Sequence, residues 1–179
     1  MSPEGAWRAE QRLPEHDEGD RGLAGAEEIR KILTKAHTIA MVGLSADQLR
    51  PSYFVAGYLL AAGYHVVPVN PRYAGGSILA CPVVASLRDI SEHVDVVDVF
   101  RRPAELLPIV DDAIAIGAGV LWLQLGVVNQ EAADRARRAG LSVVMDRCIK
   151  VEHGRHLGAM RTMGFCTGVI TARRRPVVD

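Results

Sequence analysis

A single α/β domain, built on a doubly wound and mostly parallel sheet of five to six strands, is the fold this sequence predicts. Three observations carry that reading. Short, near-continuous apolar runs recur at residues 38–42, 64–69, 94–100, 119–125 and 141–145, and strands buried on both faces read this way. Segments of helical character lie between them, so strand and helix alternate. Glycine and proline mark the changeovers: Gly63 and Gly140 follow helix-like segments, and Asn70-Pro71 closes the second run.

In chain order, residues 1–24 hold almost no apolar periodicity and read as a flexible arm. A first helix over 26–36 puts Ile29, Ile32 and Leu33 on one face. The strand 38–42 stops at Gly43, and a polar loop leads into a helix over 53–62. After the strand 64–69, Gly75-Gly76 marks a turn and Pro82 a second break, and Val83-Val84 reads as a short edge strand before 87–90. The strand 94–100 is apolar except for Asp95 and Asp98. Pro103 suits the first position of a helix reaching residue 116, in which Pro108 is expected to force a kink or a break. Asn129 caps the next helix, Gly140 ends it, and 141–145 is the last clear strand. Glu152 and His153 then pin a final helix to the sheet. The domain thus spans residues 25–158, and 159–179 form an extension expected to be partly mobile.

Composition narrows the function. A chain of 179 residues can bury a full core. Its 21 basic and 21 acidic residues cancel, which removes the broad basic field of a nucleic-acid binder. No apolar stretch approaches the ~20 residues of a membrane span. The N-terminal residues lack the apolar core of a secretory signal. Cys81, Cys148 and Cys166 are odd in number and widely spaced. That pattern favours a reducing, cytoplasmic setting over a disulfide scaffold or a structural zinc site.

In an open α/β sheet, ligands meet the carboxyl ends of the strands where strand order reverses. Those ends carry Gly43-Leu44-Ser45 with Arg50-Pro51-Ser52, then Asn70-Pro71-Arg72-Tyr73, Phe100-Arg101-Arg102, Gln124-Leu125-Gly126 and Asp146-Arg147-Cys148. Arginines converge there, and Asp47 and Asp146 are the carboxylates set against them. An anionic ligand fits this edge, its phosphates held by hydroxyls, arginine and a helix N-terminus. Gly43 is the only glycine of the first loop, so the G-x-G-x-x-G dinucleotide fingerprint is missing. After the second strand, where enzymes using NAD place an acid for the ribose, stands Arg72. Guanidinium suits a phosphorylated ribose, either the 2′-phosphate of NADP or the 3′-phosphate of coenzyme A. The absent fingerprint favours coenzyme A. Against this stands the plainer reading of Arg72 as a solvated loop residue.

Three stretches, residues 42–52, 67–71 and 94–102, resemble the family of small stand-alone CoA-binding domains. More distantly they resemble the CoA-binding domain of the succinyl-CoA synthetase alpha subunit. Trp122-Leu123-Gln124-Leu125-Gly126 and residues 146–153 extend the likeness in family order over residues 28–157. The resemblance implies that Gly43, Leu44 and Ser45, with Arg50, Pro51 and Ser52, face the CoA diphosphate. It implies that Asn70, Pro71 and Arg72 face the ribose phosphate and adenine, and that Phe100, Arg101 and Arg102 flank the adenosine or the start of the pantetheine arm. The N-terminal arm and residues 158–179 have no counterpart in it, and nothing here resembles a ligase's phosphohistidine segment or grasp domain.

A catalytic apparatus is not legible. Cys148, with Arg147 beside it and His153 and His156 downstream, is the best candidate nucleophile. It is also placed to form a mixed disulfide with a bound CoA thiol. The plainer reading is a small apolar side chain packing the last strand. A metal on Cys148, His153, His156 and Asp146 matches no established zinc spacing. His37, His65 and His93 stand singly beside strands, and Asp95 and Asp98 suit structural hydrogen bonding better than acid–base chemistry. The run Arg173-Arg174-Arg175 reads as a solvated end. The expectation is therefore a carrier or regulatory module for CoA or an acyl-CoA, as a homo-oligomer or beside a partner enzyme. The alternatives are an NADP-dependent oxidoreductase or redox sensor, and the CoA-binding subunit of an acyl-CoA ligase or transferase.

Overall fold

The computed structural model describes residues 24–158. The expectations for the N-terminal arm up to residue 23, for the extension 159–179, and for Cys166 and Arg173-Arg174-Arg175 lie outside the described residues.

The first helix, α1 (Ala26–Lys35), carries Glu27 and Glu28 in its first turn and Lys35 in its last, each charge opposing the helix dipole. Ile29 and Leu33, four apart, are its buried face. Strand β1 (Thr38–Val42) is followed by α2 (Pro51–Ala61) and β2 (His65–Val69). The second helix begins two residues before the expected start, because Pro51 occupies its first turn, where a missing N–H costs nothing. Gly63, at φ +94°, closes it as expected.

Between β2 and the centre of the sheet the chain makes a hairpin of β3 (Ser77–Ile78) and β4 (Cys81–Pro82). The edge strand expected at Val83-Val84 reduces to one parallel bridge between Val84 and Val69. Strand β5 (Val96–Val99) follows. A 3-10 turn, Pro103–Glu105, then leads to α3 (Leu106–Ala115). The break expected at Pro108 falls earlier, at the 3-10 junction, which leaves Pro108 in the first turn of α3, where its missing N–H has no intrahelical partner to lose. The last elements among the described residues are β6 (Val120–Leu123), α4 (Gln130–Arg138), β7 (Ser142–Val144) and α5 (Ile149–His156).

The main sheet has five strands, all parallel, in the order β2-β1-β5-β6-β7. Val42 stands opposite both Val69 and Val99, and Asp98 lies between Met41 and Trp122. Alternate strand residues feed two cores. Val42, Val97, Val99, Leu121 and Leu123 pack with α3 and α4, while Met41, Val96, Trp122 and Val144 pack with α1, α2 and α5. From β1 the chain turns outward to β2, then crosses back to β5 on the other side. The connections that leave β1 and β5 therefore run to opposite faces of the sheet, and a crevice opens at the carboxyl ends of the two strands.

Asn129 caps α4 as expected: its side-chain oxygen accepts the Ala132 N–H at 3.0 Å, while its amide donates to the Pro103 carbonyl at 3.0 Å. Asn129→Ala is expected to cost about 1–2 kcal/mol in urea unfolding. Asn129→Asp, which keeps the cap and loses the donor, should recover most of it.

Candidate functional site

The crevice is held together by one glycine and one asparagine. Gly43 ends β1 at φ +86°, and its N–H donates to the Val69 carbonyl at 2.9 Å. A Cβ there would stand 2.7 Å from the Phe100 carbonyl oxygen and 2.7 Å from Arg101 Cδ. Glycine thus lets the exits of β1, β2 and β5 meet at one edge. Asn70 is buried; its amide donates to the Leu44 carbonyl at 2.9 Å and its oxygen accepts the Arg72 N–H at 3.0 Å. The loop after β1 is thereby tied to the loop after β2.

The first loop is wound tightly on itself. The Ser45 N–H donates to Ser52 Oγ at 3.2 Å, the Asp47 N–H to Ser45 Oγ at 3.1 Å, and the Leu49 N–H to Asp47 Oδ1 at 2.9 Å. Arg50 is the N-cap residue of α2 by backbone alone; its exposed side chain lies 3.7 Å from Asp47. Arg72 sits in the 3-10 turn Pro71–Tyr73, exposed, with its guanidinium 5.7 Å from the centroid of the Tyr73 ring. Beyond β5, Arg101 and Arg102 both donate to Glu105. Those arginines hold the Glu105 carboxyl below the usual carboxylate range, Arg102 contributing most.

A cavity of about 230 Å³ opens here, lined among others by Gly43, Asn70, Pro71, Ser86, Arg101 and Glu105. Of the expected site residues, Gly43, Asn70, Pro71 and Arg101 line it, and Leu44, Ser45 and Ser52 build the adjoining loop. Arg50, Pro51, Arg72 and Arg102 stand exposed around it. Phe100 is set apart from Arg101, packing half-buried against the α1, α2 and α5 core on the other side of the sheet.

The carboxylates at this edge are not only Asp47 and Asp146, as the strand ends alone imply: Glu105 lines the cavity itself. Its spacing four residues after Arg101, just past Pro103, is the signal that could have found it. Asp146 faces inward at φ +60°, its oxygen accepting the Gly126 N–H at 2.8 Å. Gln124, one of the strand-end residues, is buried and donates to Asp98 Oδ1 at 2.8 Å.

Among the described residues the candidate catalytic side chains are engaged in structural contacts. Cys148 is the N-cap residue of α5, and burial pushes its thiol up, away from the thiolate. Glu152, buried, holds Arg147, Arg155 and His156, with nitrogen–oxygen distances of 3.7, 3.0 and 3.3 Å. His153 bonds the Tyr58 hydroxyl at 2.9 Å, and burial lowers its pKa. Instead of pinning α5 to the sheet, these contacts tie it to α2 through Tyr58 and to the loop after β7 through Arg147, while Arg155 and His156 belong to α5 itself. Asp95 accepts the N–H groups of His37 and Thr38 at 2.8 and 2.9 Å, a structural role at the opposite end of the strands. Among the described residues no group of three His, Cys, Asp or Glu could hold a metal ion, and no helix is long and apolar enough to cross a membrane.

A five-stranded parallel sheet in the order β2-β1-β5-β6-β7, with a glycine turn, hydroxyls and arginines at its switch point, defines an α/β domain of the Rossmann-like class. Comparison with known proteins gives the family. Residues 37–154 match the model of the CoA binding domain, and the chain belongs to that family. It is 40% identical over 126 residues to the uncharacterized protein YneT of Bacillus subtilis (strain 168), covering 70% of this chain and 92% of that one. A solved Thermus thermophilus structure is similar at 41% identity and TM-score 0.72, over 75% of this chain and all of that one. A hypothetical protein from Pyrococcus horikoshii OT3 matches at 40% identity and TM-score 0.74, over 77% of this chain and 96% of that one. A dinucleotide-forming acetyl-coenzyme A synthetase of Ca. Korarchaeum cryptofilum shares the fold at 21% identity and TM-score 0.54, over 61% of this chain and 26% of that one.

Proposed function

We propose that residues 25–158 form a cytoplasmic module that binds coenzyme A or an acyl-CoA and acts as a carrier or regulator. The observation that carries this reading is the pairing of Gly43 with Arg72 across the Asn70 tie. The Gly43 turn packs the exits of β1 and β5 together and so sets Ser45, Ser52 and the N-terminus of α2, which no side chain among the described residues caps, at one edge suited to a diphosphate. Arg72, held one loop away by its N–H bond to Asn70, suits the ribose 3′-phosphate. Family membership supports the same ligand. Arg101 lines the cavity between them and suits the adenosine side.

Isothermal titration with CoA, dephospho-CoA and NADP tests the reading. CoA is expected to bind, and loss of the 3′-phosphate to weaken it about tenfold or more, as expected for one charge-assisted phosphate contact. Arg72→Ala should weaken CoA by a similar factor and leave dephospho-CoA nearly unchanged. Binding of NADP without CoA would overturn the proposal and favour the oxidoreductase alternative.

A further inference from the structure

Both arginines that follow β5 are already engaged. Arg101 Nη2 donates to one oxygen of Glu105, while Arg102 donates to the other oxygen through Nε and through its backbone N–H, each at 3.2 Å. The stem of Arg101 runs directly over the Gly43 turn, and Glu105 lines the same cavity as Gly43 and Asn70. The other carboxylate on the cavity wall, Asp112, is likewise taken by an arginine, Arg88. A phosphate arriving at this turn therefore meets an arginine pair whose double charge Glu105 has already halved, beside a carboxylate that repels it.

We propose that Glu105 is an internal counter-anion, held by Arg101 and Arg102 until a ligand phosphate takes its place, and that it thereby selects for ligands carrying several phosphate charges. The inference rests on the reading of this crevice as a phosphate site. A phosphate dianion offers more charge and more acceptor oxygens to a guanidinium fork than a carboxylate does, so the exchange is favourable for it. A neutral nucleoside gains nothing from the exchange, and a monoanion gains little. The competing role, in which Glu105 merely holds Arg101 in place for the ligand, predicts the opposite sign when the charge is removed.

Glu105→Gln keeps the shape and the acceptor for the Arg102 N–H while removing the charge. The full chain and this variant are titrated with CoA, with inorganic pyrophosphate as a probe, and with adenosine as an uncharged control, at low and at high ionic strength. CoA and pyrophosphate are expected to bind the variant about 3- to 10-fold more tightly at low salt, the gain shrinking as salt screens it. Adenosine should bind both proteins alike. Adding Arg101→Gln to the variant should erase the gain, because the two side chains form one coupled unit. Should Glu105→Gln lower the melting midpoint, Glu105→Asp serves as the second variant. It keeps the charge but shortens the reach to Arg101, and a smaller gain of the same sign is expected. Equal or weaker pyrophosphate and CoA binding by both variants overturns the inference while leaving the CoA reading intact. Tighter pyrophosphate binding with no CoA binding by any form overturns the CoA reading and leaves this inference standing. Failure of every form to bind either ligand overturns both.

Discussion

Gly43→Ala is expected to destabilise the protein by about 3 kcal/mol or more and to abolish CoA binding. Two costs add at this position. The backbone holds φ at +86°, a conformation that an L side chain adopts only at about 1–2 kcal/mol. The added methyl would also stand 2.7 Å from the Phe100 carbonyl oxygen. The Arg101 stem, equally close, can swing aside, but the carbonyl cannot, because the Phe100 N–H is bonded to the Val42 carbonyl at 2.9 Å. Relief requires the ends of β1 and β5 to part, which also strains the Gly43 bond to Val69. That movement displaces the loop assigned to the diphosphate, so affinity and stability should fall together. Gly75→Ala is the control. Gly75 has φ +82° but open space around its Cβ position, so it bears the conformational cost alone, about 1 kcal/mol, with CoA binding unchanged. Urea unfolding and CoA titration of the two variants make the comparison. Wild-type stability and binding in Gly43→Ala would refute the account of the crevice as a close-packed turn.

Most of the fold was legible because its signals are local. Residues 38–42 are apolar and buried over nearly their whole length, so the strand limits came out as observed. Asn129 and Gly140 bracket α4 with cap chemistry that needs no tertiary context. The β3–β4 hairpin was not legible, since its two turn residues, Leu79 and Ala80, take φ of +51° and +63° without the Asn-Gly signature such turns favour. The surrounding contacts impose that turn, and no residue in it announces the conformation. The candidate site divides in the same way. Gly43, Asn70 and Arg72 follow from their places at strand ends. The Glu105 link to both arginines depends on a 3-10 turn that brings a carboxylate back over the crevice, and the Gln124 bond to Asp98 depends on strand register.

That register makes Asp98 the source of the second large effect: the wild-type protein should lose stability as pH rises from about 4 to about 8, and Asp98→Asn should remove most of that loss. Asp98 is wholly buried between Met41 and Trp122. One oxygen accepts from Gln124 at 2.8 Å and the other has no partner among the described residues. Burial pushes its pKa up to about 8, outweighing the Gln124 bond and the Val99 N–H, which act in the opposite direction. The unfolded chain ionises this acid near its ordinary value of about 4. Below that pH both states hold the proton and no penalty exists. Between the two values only the folded state holds it, so each pH unit of rise costs up to about 1.4 kcal/mol, and the penalty is complete above pH 8. Asparagine copies the protonated acid in shape and keeps an oxygen for Gln124. The variant should therefore match wild type near pH 4–5 and exceed it by about 2 kcal/mol or more at pH 8. His153, whose pKa burial lowers, and Asp95, whose carboxyl is lowered by the His37 and Thr38 N–H bonds, titrate in both proteins. Their contributions cancel in the difference between the two urea-unfolding profiles. Parallel profiles from pH 4 to 9 would mean that Asp98 is ionised in the folded protein. A buried, half-paired carboxylate would then stand at the centre of the sheet, one residue before the end of β5, and an anionic ligand at the carboxyl edge would have to overcome its field.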